Sequence, residues 1–288
     1  MRAIFKRELK SYFTSMTGYV FIAFLTMFIG IYFLAYNLMN GYAYFSYSLS
    51  GVLLIMSIGI PVLTMRSFAD EKKTRTDQLL LTAPVSVTEI VLGKYLAMTA
   101  VFAVPVLISC LCPLIIKANG TAYLLADYST ILAFFLMGSL FIAIGMFLSS
   151  LTESQIIAAV GTFIILLCLM LWSGILSFLP TSAKSSVIGF FVILFFVCFV
   201  LYEVMEDWRV AAAVAVAGSA VLAGLYLWKE ELFDRALVNL LEKFDVVSLF
   251  DGFAQSHMFD ICALILYLSA IFLFLFLTVQ SIEKRRWS

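Results

Sequence analysis

The sequence predicts an all-α membrane protein, and its composition, its apolar runs and its distribution of positive charge each support that class. Of the 288 residues, 64% are hydrophobic and only 12% are charged, and the mean hydropathy is +1.08. Soluble domains carry about 25% charged residues, so this chain lacks the polar side chains needed to cover a water-facing surface. Because one helical crossing takes roughly 20 apolar residues, the chain has room for several spans. A large catalytic domain is excluded.

The spans are predicted from long apolar runs that are separated by charged or turn residues. We expect a polytopic helical bundle of six to eight spans within a transmembrane domain at residues 17–288. The sixth and seventh runs, within residues 186–228, are the ambiguous ones, and they must cross either twice or not at all if both termini face the same side. The eight runs lie at 17–39, 51–66, 95–116, 128–150, 155–179, 186–204, 209–228 and 258–282.

The positive charges predict the orientation of these spans. Thirteen of the 18 Lys and Arg residues fall on one side when the N-terminus is placed in the cytoplasm and eight crossings are assumed. Loops rich in Lys and Arg stay in the cytoplasm. We therefore expect a multi-pass protein of the plasma (inner) membrane with both termini cytoplasmic. The thirteen are Arg2, Lys6, Arg7, Lys10, Arg66, Lys72, Lys73, Arg75, Lys94, Arg209, Lys284, Arg285 and Arg286.

The first 16 residues are predicted to form an amphipathic helix on the membrane surface. Phe5 and Leu9 group on one side, whereas Lys6, Arg7 and Lys10 group on another. Such a helix lies in the interface, with its cations toward anionic membrane lipid.

A second amphipathic helix is predicted on the external side, over about residues 230–250. Leu237, Leu240 and Leu241 fall on one face, and charged residues fall elsewhere. Two interpretations remain open, an interfacial brace and a helix that borders the outer mouth of a pathway.

The most informative segment is the loop at residues 66–94. Its 29 residues hold nine charged ones in a chain that has few. Ser86 and Glu89 have the spacing of a capping box before an apolar run, so the segment is expected to be ordered. Pro84 forbids a continuous helix, which predicts a helix to about Leu81, a sharp corner and then a new helix. Such a corner suits docking to another protein; a solvated loop is the alternative.

The spans lack the side chains that membrane chemistry requires. The cores of the runs contain no ionisable residue, which argues against ion-coupled transport and against an intramembrane hydrolase. Asp127, Glu153, Glu203 and Asp260 lie at run ends, where water is expected to reach them.

Bound cofactors and metals are not expected either. Gly93-Lys94 is followed by Tyr95 rather than Ser or Thr, so it is not a phosphate-binding loop. His257, Asp260 and Cys262 could hold a metal, but the set is isolated and borders a span. We expect no catalytic, cofactor-binding or metal-binding residue in this chain, and no nucleic-acid partner. Energy would have to arrive from another subunit, through residues 66–94.

Several segments resemble ABC-2 type transporter permeases, in colinear order over nearly the whole chain, and the nearest subgroup is the gliding-motility type. The segments are Phe5–Phe13, Met65–Ser86, Glu89–Lys94, Ser149–Gln155, Phe274–Gln280 and Glu283–Trp287.

The resemblance implies a permease subunit of an ATP-driven transporter, most often an exporter, with no ATPase site of its own. ATP and Mg²⁺ would sit on a separate ABC ATP-binding subunit. The resemblance also implies an elbow helix at residues 1–16, a coupling helix within 66–94, and a second permease copy or a homologous permease. The residues implied in ATPase coupling are Glu71, Thr76, Leu79, Leu80, Pro84, Ser86, Glu89 and Lys94.

The positions suggest individual roles in this coupling. Leu79 and Leu80 would be apolar anchors on the ATPase, Glu71 and Lys94 would make charged contacts at its edge, and Pro84 would stiffen the corner. The serious rival is an ABC-associated membrane scaffold for envelope or motility machinery that moves no solute, with a possible auxiliary envelope protein as a partner. An ion-coupled carrier is the more distant rival.

Overall fold

A computed structural model describes residues 2–76, 85–179, 186–191, 194–195, 219, 235–243, 245–255 and 260–287 of the chain. Every regular element within these residues is helical. The helices are α1 (Arg2–Thr14), α2 (Met16–Phe33, continued by a π-helical segment Leu34–Met39), α3 (Ser46–Thr64), α4 (Ala69–Lys73), α5 (Val87–Ser109), α6 (Cys112–Asn119), α7 (Leu124–Leu151), α8 (Gln155–Met170), α9 (Trp172–Ser177), α10 (Ala236–Glu242), α11 (Val246–Gln255) and α12 (Ile261–Trp287).

Five helical segments of the described chain are long and apolar enough to cross a membrane. They confirm the first four predicted runs and the last one; the fifth run is interrupted, because α8 ends at Met170 and α9 begins at Trp172. Most of the sixth and seventh runs, and His257, lie outside the described residues. The five segments are Met16–Met39, Ser46–Lys73, Val87–Asn119, Leu124–Leu151 and Ile261–Lys284.

The chain divides into two compact units. The first comprises Met1–Met170 and Val246–Ser288, and the second comprises Leu171–Asp245. In the second unit, Trp172 Nε1 donates a hydrogen bond to the Leu241 carbonyl oxygen at 3.0 Å. That contact joins α9 to α10.

The core of the first unit is built around α7. This helix contacts α3, α5, α8, α11 and α12. Its small residues permit close approach, and the ring of Phe102 from α5 fills the space beside Gly138. On α2, every fourth residue from Phe21 to Phe33 is buried, so the helix presents one side to the bundle and the other to its surroundings.

The predicted external helix is divided in the structure. Within residues 235–255 the chain forms α10 and then α11, so a single helix over 230–250 is not what the described residues adopt. Leu237 is buried, whereas Leu240, which was placed on the same face, is exposed. Phe250 and Phe253 on α11 are fully buried instead, because α11 packs against α7 and Thr130 Oγ1 donates to the Phe253 carbonyl oxygen at 3.3 Å.

Two connections mark opposite ends of α3. Residues 40–45 join α2 to α3, and we call that side of the bundle the turn end. Residues 65–86 join α3 to α5, and we call that side the loop end. Because α7 runs between the two, its first turn lies at the turn end and its last turn lies at the loop end.

Candidate functional site

A buried lysine is the centre of the loop end. The side chain of Lys94, on the second turn of α5, is only 3% exposed. Its Nζ lies 2.8 Å from Glu71 Oε1 on α4 and 3.5 Å from Glu8 Oε1 on α1, and it donates to the Ser67 carbonyl oxygen at 2.8 Å. The same atom lies 5.1 Å from the centre of the Phe68 ring. One ammonium group therefore joins three helices.

Arg7 completes the charge balance around this lysine. One of its guanidinium nitrogens lies 2.6 Å from Glu8 Oε1 and 3.5 Å from Glu71 Oε1. The hydrogen bond to Glu8 raises the pKa of the Arg7 guanidinium, so the group stays charged. We call Arg7, Glu8, Glu71 and Lys94 the Lys94 cluster. Its two cations and two carboxylates neutralise one another, which makes the burial of Lys94 tolerable.

The elbow helix, α1, is seated on α5 by close packing. A Cβ atom at Gly93 would lie 3.0 Å from Cγ2 of Ile4, so glycine is what lets α1 approach α5 at this level. Tyr12 anchors the other end of α1, because its hydroxyl donates to the Leu63 carbonyl oxygen at 3.3 Å. Burial raises the pKa of the Tyr12 hydroxyl, and the carboxylates of Glu8 and Glu71 raise it further.

A single serine holds the beginning of the loop against α7. Ser149 Oγ accepts hydrogen bonds from the backbone N–H groups of Phe68 and Ala69, each at 3.1 Å, and donates to the Met65 carbonyl oxygen at 3.2 Å. The two N–H groups belong to the start of α4, where a helix lacks internal acceptors. Ser149 therefore serves as the cap of α4 from another helix.

Two further contacts attach α4 to the α7–α8 junction. Gln155 Nε2 donates to Asp70 Oδ1 at 2.6 Å, and Lys72 Nζ donates to the Ser150 carbonyl oxygen. Ser150 Oγ in turn donates to Ser281 Oγ of α12 at 3.3 Å. Helix α4 thus has side-chain contacts with α1, α5, α7 and α8.

The structure brings together some of the predicted coupling residues. Glu71 and Lys94 form an ion pair, and the backbone N–H of Thr76 donates to the Glu71 carbonyl oxygen at 3.0 Å. Ser86 caps α5, because its Oγ accepts from the Glu89 backbone N–H at 3.3 Å, as the capping pattern predicts. The predicted residues Leu79, Leu80 and Pro84 lie outside the described residues.

The elbow helix has the two faces that the sequence predicts. Phe5 and Leu9 are half-buried, whereas Lys6, Arg7 and Lys10 are exposed. The apolar side of the helix therefore faces the bundle. Lys6 and Lys10 lie on the exposed side, whereas Arg7 is paired with Glu8 and Glu71.

Three contributors to this site were missed by the sequence analysis. Glu8 lies one turn after Ile4 and one turn before Tyr12, so a carboxylate on the half-buried side of an amphipathic helix was the available signal. Ser149 and Gln155 fall in a segment that carried only a family resemblance. Nothing in its local pattern indicates that these residues contact a loop 80 positions earlier.

The side chain of Asn37 makes three hydrogen bonds at the turn end. Asn37 Nδ2 donates to the carbonyl oxygens of Tyr42 and Tyr44, at 2.8 and 2.9 Å, and its Oδ1 accepts from Ser48 Oγ at 2.6 Å. The ring of Tyr44 stacks on that of Tyr123, with centroids 4.6 Å apart. One amide side chain therefore fixes both sides of the short turn.

The burial of Asp127 contradicts the prediction that water reaches this residue. It was expected to be reached by water at the end of its run, but it is fully buried on the first turn of α7. Its Oδ1 accepts from the Phe45 backbone N–H at 2.8 Å. The reason is that residues 40–45 fold over the start of α7, which the position of Asp127 in its own run does not reveal.

Comparison with known proteins identifies one relationship. A family model described as ABC-2 family transporter protein matches residues 35–279. No curated protein matches the chain. No solved structure matches it either. The matched region includes most of the loop end and the whole turn end, but it begins after α1.

Proposed function

Because the chain belongs to the ABC-2 family of transporter proteins and is a multi-pass ABC transporter permease, we propose that it transmits the work of a separate ATP-binding subunit through its loop end. The Lys94 cluster carries this proposal. It ties the start of the loop to the elbow helix and to α5 through one buried ammonium group. A force applied to the loop therefore acts on several helices at once.

The segment between α4 and α5 is the proposed docking element. Thr76 and Ser86 are exposed at its two sides. Between them the sequence offers two adjacent leucines, Leu79 and Leu80, as apolar anchors for a groove on the ATPase, followed by Pro84 as a stiff corner. An apolar pair framed by charged residues is typical of interface anchors.

The proposed roles of Glu71 and Lys94 follow from their burial. Because Lys94 is 3% exposed and faces Glu71 and Glu8, the pair is proposed to act inside the permease, as the link between the docking element and the helices. Ser86 and Glu89 would fix the start of α5, so that movement of the loop becomes movement of that helix. ATP can shift the equilibrium only if this region packs differently in the two states of the transporter.

Further features of the transporter are proposed from the charge distribution and from the family resemblance. The excess of Lys and Arg on one side supports cytoplasmic termini in the plasma membrane. The resemblance of residues 65–94 to gliding-motility-type permeases supports that subgroup, export as the direction, and pairing with a second permease. The ATPase would supply the site for ATP and Mg²⁺.

The test is co-purification of the two subunits. Leu79→Glu together with Leu80→Glu is expected to reduce recovery of the ATP-binding subunit at least about tenfold, because two carboxylates would have to be desolvated at the interface. The inserted amount of permease should not change. Leu125→Glu is the matched control, since Leu125 is 89% exposed at the turn end. Undiminished recovery of the ATPase by the double variant would refute the docking role.

A transport measurement separates the exporter from the scaffold. Vesicles that contain both subunits are expected to show accumulation of a solute that depends on ATP hydrolysis. ATP turnover that the permease stimulates, without movement of any compound across the membrane, would favour the scaffold.

A further inference from the structure

A cavity lined mainly by polar residues lies between the elbow helix and the start of the loop. Its volume is about 680 Å³, and Ser15 and Thr17 at the junction of α1 and α2 are among the residues that line it. Residues of α1, of that junction, of residues 66–71 and of α5 line it. The Lys94 cluster forms one wall, and the hydroxyl groups of Ser15 and Thr17, which are 2.7 Å apart, form part of another.

Two side chains of this cavity have polar groups without a hydrogen-bond or ion-pair partner among the described residues. Ser67 is only 4% exposed, and its Oγ has no hydrogen-bond partner among the described residues although the residue lines the cavity. Arg66 is exposed into the same space, and no carboxylate of the described residues forms an ion pair with its guanidinium. A buried hydroxyl without a hydrogen-bond partner is uncommon in proteins, and a ligand in the adjoining cavity would supply that partner.

Two of the three carboxylates that line the cavity are neutralised by cations, and the third, Asp70, keeps its negative charge. Glu8 and Glu71 are neutralised by Arg7 and Lys94, and the Asp70 carboxylate accepts a hydrogen bond from Gln155. Among the described residues that line the cavity, the Arg66 guanidinium has no ion-pair partner and the Ser67 hydroxyl has no hydrogen-bond partner. That combination matches a phosphate, which accepts charge-assisted hydrogen bonds from arginine and neutral ones from hydroxyl groups.

The surface next to the cavity is apolar and exposed. Met16 is 83% exposed, and Tyr19 and Val20 are each 58% exposed, all on the first turns of α2. A phosphate group at Arg66 would thus lie beside a hydrocarbon-facing strip on the first membrane span. A ligand that carries both a phosphate and acyl chains fits this combination, whereas a free phosphate would contact only the polar part of the site.

We propose that the cavity between the elbow helix and residues 66–71 binds one membrane phospholipid, with its phosphate on Arg66 and Ser67 and its acyl chains along the start of α2. Arg66, Ser67 and the first turns of α2 are not among the residues proposed to dock the ATPase, so lipid binding is tested separately from docking. A lipid held there would contact the elbow helix and the loop together and would link both to the membrane surface.

The experiment measures binding of a short-chain phospholipid to the purified full-length permease by native mass spectrometry. The probe is dioctanoyl phosphatidylglycerol, and dioctanoylglycerol, which lacks the phosphate, is the matched ligand. One phosphatidylglycerol is expected per chain, with at least about tenfold weaker binding of dioctanoylglycerol. Equal binding of the two would overturn the phosphate site. Displacement of the lipid by an equal concentration of inorganic phosphate would assign the site to free phosphate and overturn the lipid.

Two variants and a control test the residues. Arg66→Gln is expected to weaken phosphatidylglycerol binding about tenfold, and Ser67→Ala about threefold, without loss of the folded protein. Lys6→Gln removes a positive charge from the exposed side of the elbow helix, outside the cavity, and should leave the affinity within twofold. If Lys6→Gln weakened binding as much as Arg66→Gln, general surface charge would explain the result and the site would be overturned. An unchanged affinity in Arg66→Gln would overturn it as well.

Discussion

The two connections that flank α3 are held in place by different kinds of interaction. At the turn end, the amide of Asn37 and the carboxylate of Asp127 bond directly to backbone groups of residues 42–45. At the loop end, charged side chains from three helices meet in the Lys94 cluster, and Ser149 caps α4. At the turn end, the bonds to backbone groups fix residues 42–45 to α2 through Asn37 and to α7 through Asp127. At the loop end, side chains from α1, α4, α5 and α7 meet, and the proposed transmission of force depends on these contacts between helices.

The largest effect is expected when the Lys94 cluster loses its central cation. Lys94→Met should lower the free energy of unfolding by about 3 kcal/mol, because Glu8 and Glu71 would face each other without the ammonium between them. Unfolding in mixed micelles measures this change. Lys73→Met, at an exposed position on α4, is the control and should stay within about 0.5 kcal/mol of the unaltered chain. A loss below about 1 kcal/mol in Lys94→Met would mean that the cluster does not hold the loop end together.

A smaller effect is expected at the turn end. Asn37→Ala removes an amide that makes three hydrogen bonds, two of them to backbone carbonyl groups, and should cost about 2 kcal/mol by the same measurement. Asn119→Ala is the matched control, since that amide is exposed and bonds only its own helix through Ile115. Its effect should be about 0.5 kcal/mol or less. A second measurement is the stimulation of the partner ATPase by the permease. Asn37→Ala should preserve this stimulation, whereas Lys94→Met should abolish it. Loss of stimulation in both variants would show that the two ends do not differ in function.

The features that were predicted correctly are those whose sequence patterns span only a few neighbouring residues. The amphipathic elbow helix, the Ser86 cap and four of the first five runs depend on neighbours within a few residues, and these features are present in the structure. The break between α8 and α9 was missed, because an apolar run of 155–179 looks continuous whether or not the helix stops at Met170.

The contacts that make the site are not local. Glu71 meets Lys94 across 23 positions and Glu8 meets it across 86, and Asp127 bonds to Phe45 across 82. Sequence showed that the loop was charged, but it did not show that its lysine would be buried against the elbow helix. A charged segment is equally consistent with a solvated loop and with a buried ion pair. Only the packing of the helices distinguishes these two arrangements.

The smallest of these effects is the most specific test of force transmission. Ser149→Ala removes one hydroxyl that bonds Met65, Phe68 and Ala69, and it should cost about 1 kcal/mol of unfolding free energy, since helix caps are typically worth that much. The ATPase should still bind, because the docking element is untouched, but transport per ATP hydrolysed should fall, because α4 would no longer be fixed to α7. Ser177→Ala is the control for both measurements, since that hydroxyl is exposed in the second unit and donates to the Gly174 carbonyl oxygen of its own helix, α9. If Ser149→Ala lost stability while keeping its ratio of transport to hydrolysis, the serine would support the fold alone, and the loop would have to act through the Lys94 cluster instead.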